Sequence, residues 1–310
     1  MKTVAVTGIS GYLGTGVLQR LEKQEEVATI IGIDLREPAS FTSKLRFVEW
    51  DICKPFGNVL ADNKVDCAIH LAFAVRPTHD IRAARKLDID GAESFIEACQ
   101  YASVKRMLYL SSYTAYGPHP DNPEFLTEDC QLRPLHGFLY SRDKCEADLL
   151  FQNFMRDHPD YCVTIVRASD ILGPKGGGSI AAARYPKVMV RLWGYNPRLQ
   201  YLHEDDLAEL LTALILKDQP GIFNAGGDGT ITYKEAIDAT GRPCVVLPSW
   251  LLTPLLKLSW SFKLQAASPP EGLDFIKYST VVSTDHTKEK TGFQFRHTSK
   301  ETLMDYLKSQ

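Results

Sequence analysis

Tyr140 and Lys144 stand four residues apart in Tyr140-Ser141-Arg142-Asp143-Lys144, a spacing that puts both on one face of a helix. A free phenol titrates near ~10 and is a poor base at neutral pH, whereas a neighbouring ammonium favours its ionised form. Such a pair can exchange a proton with a substrate hydroxyl or carbonyl while hydride leaves or joins the same carbon. Upstream, Leu110-Ser111-Ser112-Tyr113-Thr114-Ala115-Tyr116-Gly117 offers hydroxyls that can donate to the oxygen where charge develops. A third pattern supplies a hydride carrier. Thr7-Gly8-Ile9-Ser10-Gly11-Tyr12-Leu13-Gly14 follows a strand-like run and opens a helical one. One glycine permits a tight turn, the next lets backbone approach a pyrophosphate, and the third allows close helix–strand packing. The spacing is GxxGxxG rather than GxGxxG, so its place between strand and helix carries the reading. Asp34 closes the next strand, Ile30 to Asp34. It is suited to accept from ribose hydroxyls and to repel a 2′-phosphate, which favours NAD over NADP, with Arg36 opposing. Asp51 ends Val48-Glu49-Trp50-Asp51, within reach of an adenine amino group.

The elements that would position these groups are legible in the apolar pattern. Strands are predicted at Thr3 to Thr7, Ile30 to Asp34, Arg46 to Glu49, Cys67 to Ala72, Arg106 to Ser111 and Cys162 to Ala168. Helices are predicted at Leu13 to Glu25, Asp80 to Tyr101 and Tyr140 to Met155, with a further helix at Asp205 to Leu216 and a strand at Gly221 to Asn224. Alternation of this kind gives an α/β, Rossmann-like doubly wound parallel sheet. Residues 1–173 form the expected dinucleotide-binding domain. Residues 174–310 form a smaller C-terminal substrate-side domain, with some segments returning to the main sheet. Gly176-Gly177-Gly178-Ser179 lacks a closing GK[ST] and reads as a mobile loop beside a site. Trp250 to Trp260 is too short to span a bilayer and is interrupted by Pro254 and Lys257. It is predicted to be a packed helix roofing a pocket, in preference to a membrane-surface or partner helix.

Composition narrows the function classes. The 310 residues carry a net charge of -3, with basic and acidic residues interspersed, so nucleic-acid binding is not expected. Seven dispersed cysteines without a CxxC pair read as reduced thiols in a cytoplasmic protein. The N-terminus runs straight into a strand pattern, and neither a signal peptide nor a membrane span is expected. No metal site is expected. His203-Glu204 is followed by Leu207 where a zinc protease needs a second histidine, and His119 and His136 have no partners at ligand spacing. His70 reads as a core histidine, Glu204, Asp205 and Asp206 as the acidic first turn of a helix, and no GxSxG elbow is present.

The motifs together resemble those of the extended short-chain dehydrogenases/reductases, in the NAD-dependent epimerase/dehydratase group. The matching pieces are TGISGYLG, His70-Leu71-Ala72, LSSYTAYG, YSRDK, Val166-Arg167 with Leu172-Gly173-Pro174, and Tyr201 to Ala208, in the family's order along nearly the whole chain. The resemblance implies Ser112 as the catalytic hydroxyl, four residues before Tyr116, with Ser111 as runner-up. Tyr140 is implied as the acid/base and Lys144 as its partner and a holder of the nicotinamide ribose. It implies NAD contacts from Gly8, Ser10, Gly11, Tyr12, Leu13, Gly14, Asp34, Asp51, Ile52, Leu71, Ala72, Tyr140 and Lys144. It also implies substrate contacts from Ser112, Tyr113, Asp170 and Arg191, with Ser169 a further possibility. A homodimer is implied as well.

The chain departs from the nucleotide-sugar members at Asp88 and Asp170, where they commonly carry asparagine, and at Leu199, where an arginine is displaced to Arg198. Carboxylates repel a diphosphate that amides tolerate. Three readings follow. The first is an NAD-dependent epimerase or dehydratase acting on a hydroxyl or keto carbon of a nucleotide sugar. The second is a simple alcohol dehydrogenase or ketone reductase of the hydroxysteroid or dihydroflavonol type, which the apolar Trp250 to Trp260 segment favours. The third is a silent NAD-binding regulator, which Ser112, Tyr140 and Lys144 argue against.

Overall fold

β-branched and aliphatic runs build a seven-stranded parallel sheet in this computed structural model, which describes residues 1–175, 187–265 and 268–309. Its strands are β1 (Lys2–Thr7), β2 (Val27–Asp34), β3 (Leu45–Glu49), β4 (Cys67–His70), β5 (Arg106–Ser112), β6 (Cys162–Ala168) and a late strand, Gly221–Ala225. Their spatial order is β3-β2-β1-β4-β5-β6, with Gly221–Ala225 beyond β6. Every pairing within it is parallel. The order reverses at β1/β4, and in open parallel sheets that crevice at the carboxyl ends of the strands is where ligands bind.

Both faces are covered, which is why these strands read as unbroken apolar runs. Val4 and Val6 of β1 point into a core shared with Leu18 and Leu21 of α1 (Tyr12–Glu22) and Leu207 and Leu211 of the helix Glu204–Leu216. Ala5 points the other way, into a core shared with Phe95, Ile96 and Phe151. The helices on that second face do not match a single predicted rod. The chain forms α2 (Gly57–Asp62), then α3 (Ile81–Arg85), a π-helical turn at Lys86–Asp90, and α4 (Gly91–Tyr101). A π turn carries an extra residue and re-aims the side chains within it. Here it turns Asp88 inward to full burial, where its Oδ1 accepts from the Ala74 amide at 2.6 Å. Gly91 follows at a close approach, since a Cβ there would lie 2.9 Å from Ile52 Cδ1. The next helix, α5 (Leu139–Asp157), carries the Tyr140–Lys144 pair.

The C-terminal part adds short two-stranded pieces and a separate core of Leu199, Tyr201, Ile231, Tyr233, Ile237, Leu303 and Tyr306. The helices Tyr233–Thr240 and Ser299–Lys308 each start at a capping box, Thr232 with Glu235 and Thr298 with Glu301. Gly176 to Ser179 lie outside the described residues. The Trp250 to Trp260 prediction needs correcting. A helix forms at Ser249–Ser261, but none of its residues is buried. Its aliphatic residues fit the sequence pattern of a packed helix, yet among the described residues none covers Leu255 or Leu258, which stay more than half exposed.

Candidate functional site

The glycine turn joins β1 to α1. Gly8 sits at φ +72, and a Cβ there would meet the Ala72 amide nitrogen at 2.7 Å, so only glycine suits the position. A Cβ on Gly14 would run into the Gly8 and Ile9 carbonyl oxygens, which is how the third glycine lets α1 pack close to the turn. Gly11 is the N-cap of α1 and offers no side-chain cap, and the first turn holds no acidic residue. The first-turn amides are thus left to an external anion, and Tyr12, Leu13 and Gly14 line a cavity of about 590 Å³. A dinucleotide pyrophosphate fits that cradle.

The same cavity is lined along its length by Gly8, Gly11, Leu71, Ser112, Tyr113, Tyr140, Lys144, Ser169 and Asp170. Predicted cofactor and substrate residues far apart in sequence are therefore brought to one wall. Ser10 and Asp34 are joined at the strand end, with the Ser10 amide donating to Asp34 Oδ2 at 3.1 Å. Asp34 Oδ1 accepts from the amides of Leu35 (2.8 Å) and Arg36 (3.3 Å), and Arg36 itself lines the cavity. Ala72 lies against Gly8. Six predicted residues are not among those lining the cavity: Ser10, Asp34, Ala72, Asp51, Ile52 and Arg191. Asp51 caps its own turn through the Cys53 amide at 3.0 Å, Ile52 packs in the core under Gly91, and Arg191 lies on the strand Met189–Leu192 paired to Cys244–Leu247.

Two adjacent serines end β5 with different partners. Ser111 Oγ donates to Asp148 Oδ2 at 2.6 Å. Ser112 Oγ accepts from both Thr114 Oγ1 (2.9 Å) and the Thr114 amide (3.2 Å), which leaves its own hydrogen to donate elsewhere. Burial pushes the Tyr140 phenol above its ordinary value, and a hydrogen bond with the Ser112 side chain pulls it back. Burial therefore favours the protonated phenol. Lys144 is itself buried and donates to the Leu110 carbonyl at 2.6 Å, with its Nζ 3.6 Å from the Phe73 ring centroid. Burial pulls its ammonium down to about 7, while the carboxylates of Asp88 and Asp148 hold it up. Asp88 is pushed up to about 7 by the same burial. It anchors the Ala74 loop and does not line the cavity, unlike Asp170, whose Oδ1 accepts from Tyr113 Oη at 2.8 Å.

Sequence reasoning missed the support behind this wall. Arg167 makes a buried bidentate pair with Asp148 (2.9 Å to each oxygen) and donates to Tyr116 Oη at 2.9 Å, which in turn donates to Asn224 at 2.8 Å. An arginine inside an apolar strand run was the available signal, because a buried charge requires a partner. Phe73 and Arg76, also on the cavity wall, had no signal at all.

The histidines have other work. His70 is fully buried, bonds Thr7 Oγ1 through Nδ1 at 2.8 Å, and is pulled down to about 3 by burial. His203 caps the helix Glu204–Leu216, its Nδ1 accepting from the Asp205 amide at 3.2 Å. That bond leaves the proton on Nε2, so although His203, His297 and Asp305 cluster, His203 is not presented as a metal ligand.

A family model described as the NAD dependent epimerase/dehydratase family matches residues 4–226. Among curated proteins, an uncharacterized protein of Mycobacterium tuberculosis is 29% identical over 320 residues, covering 100% of this chain and 84% of its own length. The dTDP-D-glucose 4,6-dehydratase of Mus musculus is 25% identical over 256 residues, covering 73% and 68%. Among solved structures, dTDP-glucose 4,6-dehydratase from Bacillus anthracis in complex with NAD superposes with a TM-score of 0.75 at 16% identity, covering 100% of this chain and 96% of that one. UDP-glucose 4-epimerase from Thermotoga maritima with UDP-glucose gives 0.74 at 18%, covering 99% and 98%.

Proposed function

This chain belongs to the NAD-dependent epimerase/dehydratase family, and on that premise we propose that it holds NAD on the Gly8–Gly14 turn and works on a hydroxyl or keto carbon of a nucleotide sugar. The observation that carries the proposal is the single cavity running from the uncapped start of α1 to Tyr140 and Ser112. Bound NAD supplies the hydride acceptor and, when oxidised, one positive charge beside the phenol.

The chain's own residues do the proton work. Tyr140 as the neutral phenol, the form burial favours, gives its proton to a carbonyl oxygen in the reducing direction, and as the phenolate takes one from a hydroxyl in the oxidising direction. Ser112 donates its remaining hydrogen to the same oxygen. Lys144 keeps a cation behind the phenol and favours its ionised form when a proton must be taken. Apolar Leu71, Phe73, Leu110 and Ile171 limit water around these groups, and Arg76 and Arg36 give the cavity cations for phosphate groups. The support for a nucleotide sugar is the activity of the relatives together with those cations. Seven free cysteines support a cytoplasmic setting.

A second reading rests on the aliphatic and aromatic lining and on the Asp170 carboxylate in it, which suit an uncharged ketone or alcohol. One experiment separates the two. The purified chain is incubated with NAD and a panel of UDP- and dTDP-sugars, alcohols and ketones, following sugar products and reduced cofactor together. Sugar conversion without net cofactor reduction supports the proposal, and net reduction by alcohols alone supports the second reading. Tyr140→Phe lowers either turnover by about a thousandfold without changing NAD affinity. Unchanged turnover in that variant overturns the role of Tyr140.

A further inference from the structure

The helix Ser249–Ser261 is inside out. Leu251, Leu255, Leu258 and Phe262 recur at i, i+4, i+7 and i+11, the spacing of an apolar stripe that ordinarily faces a core. Here that stripe faces solvent, with Leu258 57% and Phe262 68% exposed, and Trp250 and Leu264 beside it at its two ends, each 75% exposed. The inner side is held by half-buried Leu252, Leu256 and Trp260, whose ring lies 4.1 Å from His79. The preceding strand, Cys244–Leu247, also exposes Val245 and Val246. A contiguous apolar face of this extent marks an interaction site.

Charge identifies the occupant. The whole chain carries -3, yet no carboxylate side chain occurs between Asp238 and Glu271, while Lys257 is exposed on the flank of the helix and Lys263 is exposed just past its end. A second copy docking face to face would set these lysines against the same two lysines. An anionic bilayer suits both features, with leucine, phenylalanine and tryptophan entering the headgroup boundary and lysines reaching the phosphates. At 13 residues the helix is about 20 Å long and lies along a membrane rather than across it. No described helix is long and apolar enough to cross one.

We propose that this face seats the protein on an anionic phospholipid surface. The seat adjoins the site. His79 joins the helix through Trp260 and the Gln265 carbonyl (3.0 Å), and the loop before it carries Val75 and Arg76 of the cavity wall. Docking therefore places the membrane one loop away from that wall.

The test is co-sedimentation of the full chain with phosphatidylcholine vesicles, with and without phosphatidylglycerol. Two lysines near the surface favour the anionic vesicles by on the order of thirtyfold at low salt, and the preference fades toward about 0.5 M salt. Leu255→Glu with Leu258→Glu abolishes binding and leaves the circular dichroism spectrum and NAD affinity unchanged. Lys257→Glu with Lys263→Glu abolishes the anionic preference. Three outcomes overturn the proposal: no binding to anionic vesicles, binding that survives the double leucine change, or a dimer that this change converts to monomer without any vesicle binding. The last would assign the face to a second copy.

Discussion

Ser111 and Asp148 share a buried hydrogen bond of 2.6 Å, and that bond separates the duties of two adjacent serines. Ser111 is committed to the carboxylate that also holds Arg167, whereas Ser112 keeps a hydrogen to donate beside Tyr140. Ser112→Ala should therefore lower kcat by about a hundredfold or more, as removal of one oxyanion donor does, besides the stability lost with the two Thr114 donors it leaves unpaired. Ser111→Ala should cost about 1.5–3 kcal/mol of stability while most turnover survives. Kinetics and thermal melts on both variants decide it. Loss of turnover in Ser111→Ala with none in Ser112→Ala would reverse the assignment.

The Arg167–Asp148 pair lies almost wholly out of water, at 2% and 0% side-chain exposure. Removing either partner strands the other charge. Arg167→Met and Asp148→Asn should each cost about 3–5 kcal/mol, and the double change should cost less than their sum because it removes both charges. Urea unfolding of the set measures the coupling. Additive losses would show that the pair does not act as a unit.

The parallel sheet and the cofactor turn were legible because each rests on local pattern. Thr3 to Thr7 is a β-branched run, Gly8 to Gly14 needs glycine for steric reasons, and Tyr140 and Lys144 are one helical turn apart. What escaped depended on contacts between distant segments. Asp88 showed in the sequence only as a departure from an asparagine, because its neighbours form an ordinary helix pattern. Only the π turn shows that it faces the Ala74 amide. The capping boxes at Thr232 and Thr298 were in the sequence as T-x-x-E, and their helices were simply passed over. Trp250 to Trp260 was misread for another reason. An apolar stripe has the same period whether it meets a core or another surface, so its direction is a property of the fold.

Asp88 and Lys144 are both buried, and the carboxylate holds the ammonium up against the burial that pulls it down to about 7. Asp88→Asn keeps an oxygen for the Ala74 amide but removes that support. Lys144 should then lose its proton at lower pH, and the inflection near 7 in the pH–rate profile should move toward acid by about one unit. Stability should move as well. A lysine whose folded pKa lies below its unfolded value makes the fold gain stability as pH rises from the folded toward the unfolded pKa, because the unfolded chain binds more protons there. In Asp88→Asn that gain should begin at lower pH. A profile and a stability curve both unmoved would remove Asp88 from the electrostatics of the site.

Asp34 ends β2 with its carboxylate already bonded by the amides of Ser10, Leu35 and Arg36, and Arg36 lines the cavity. A bound 2′-phosphate would meet a carboxylate that its own backbone holds in place, so repulsion cannot be relieved by a simple swing of the side chain. Asp34→Ala removes the repulsion and leaves Arg36 to pair with the phosphate. KM for NADP should fall by about tenfold, while KM for NAD rises through the lost ribose contact. Arg36→Ala in the same background should take the NADP gain away and leave the NAD value where Asp34→Ala put it. Measuring KM for both cofactors across the four proteins is sufficient. If NADP gains nothing in Asp34→Ala, the ribose lies elsewhere and Asp34 serves only to close the turn.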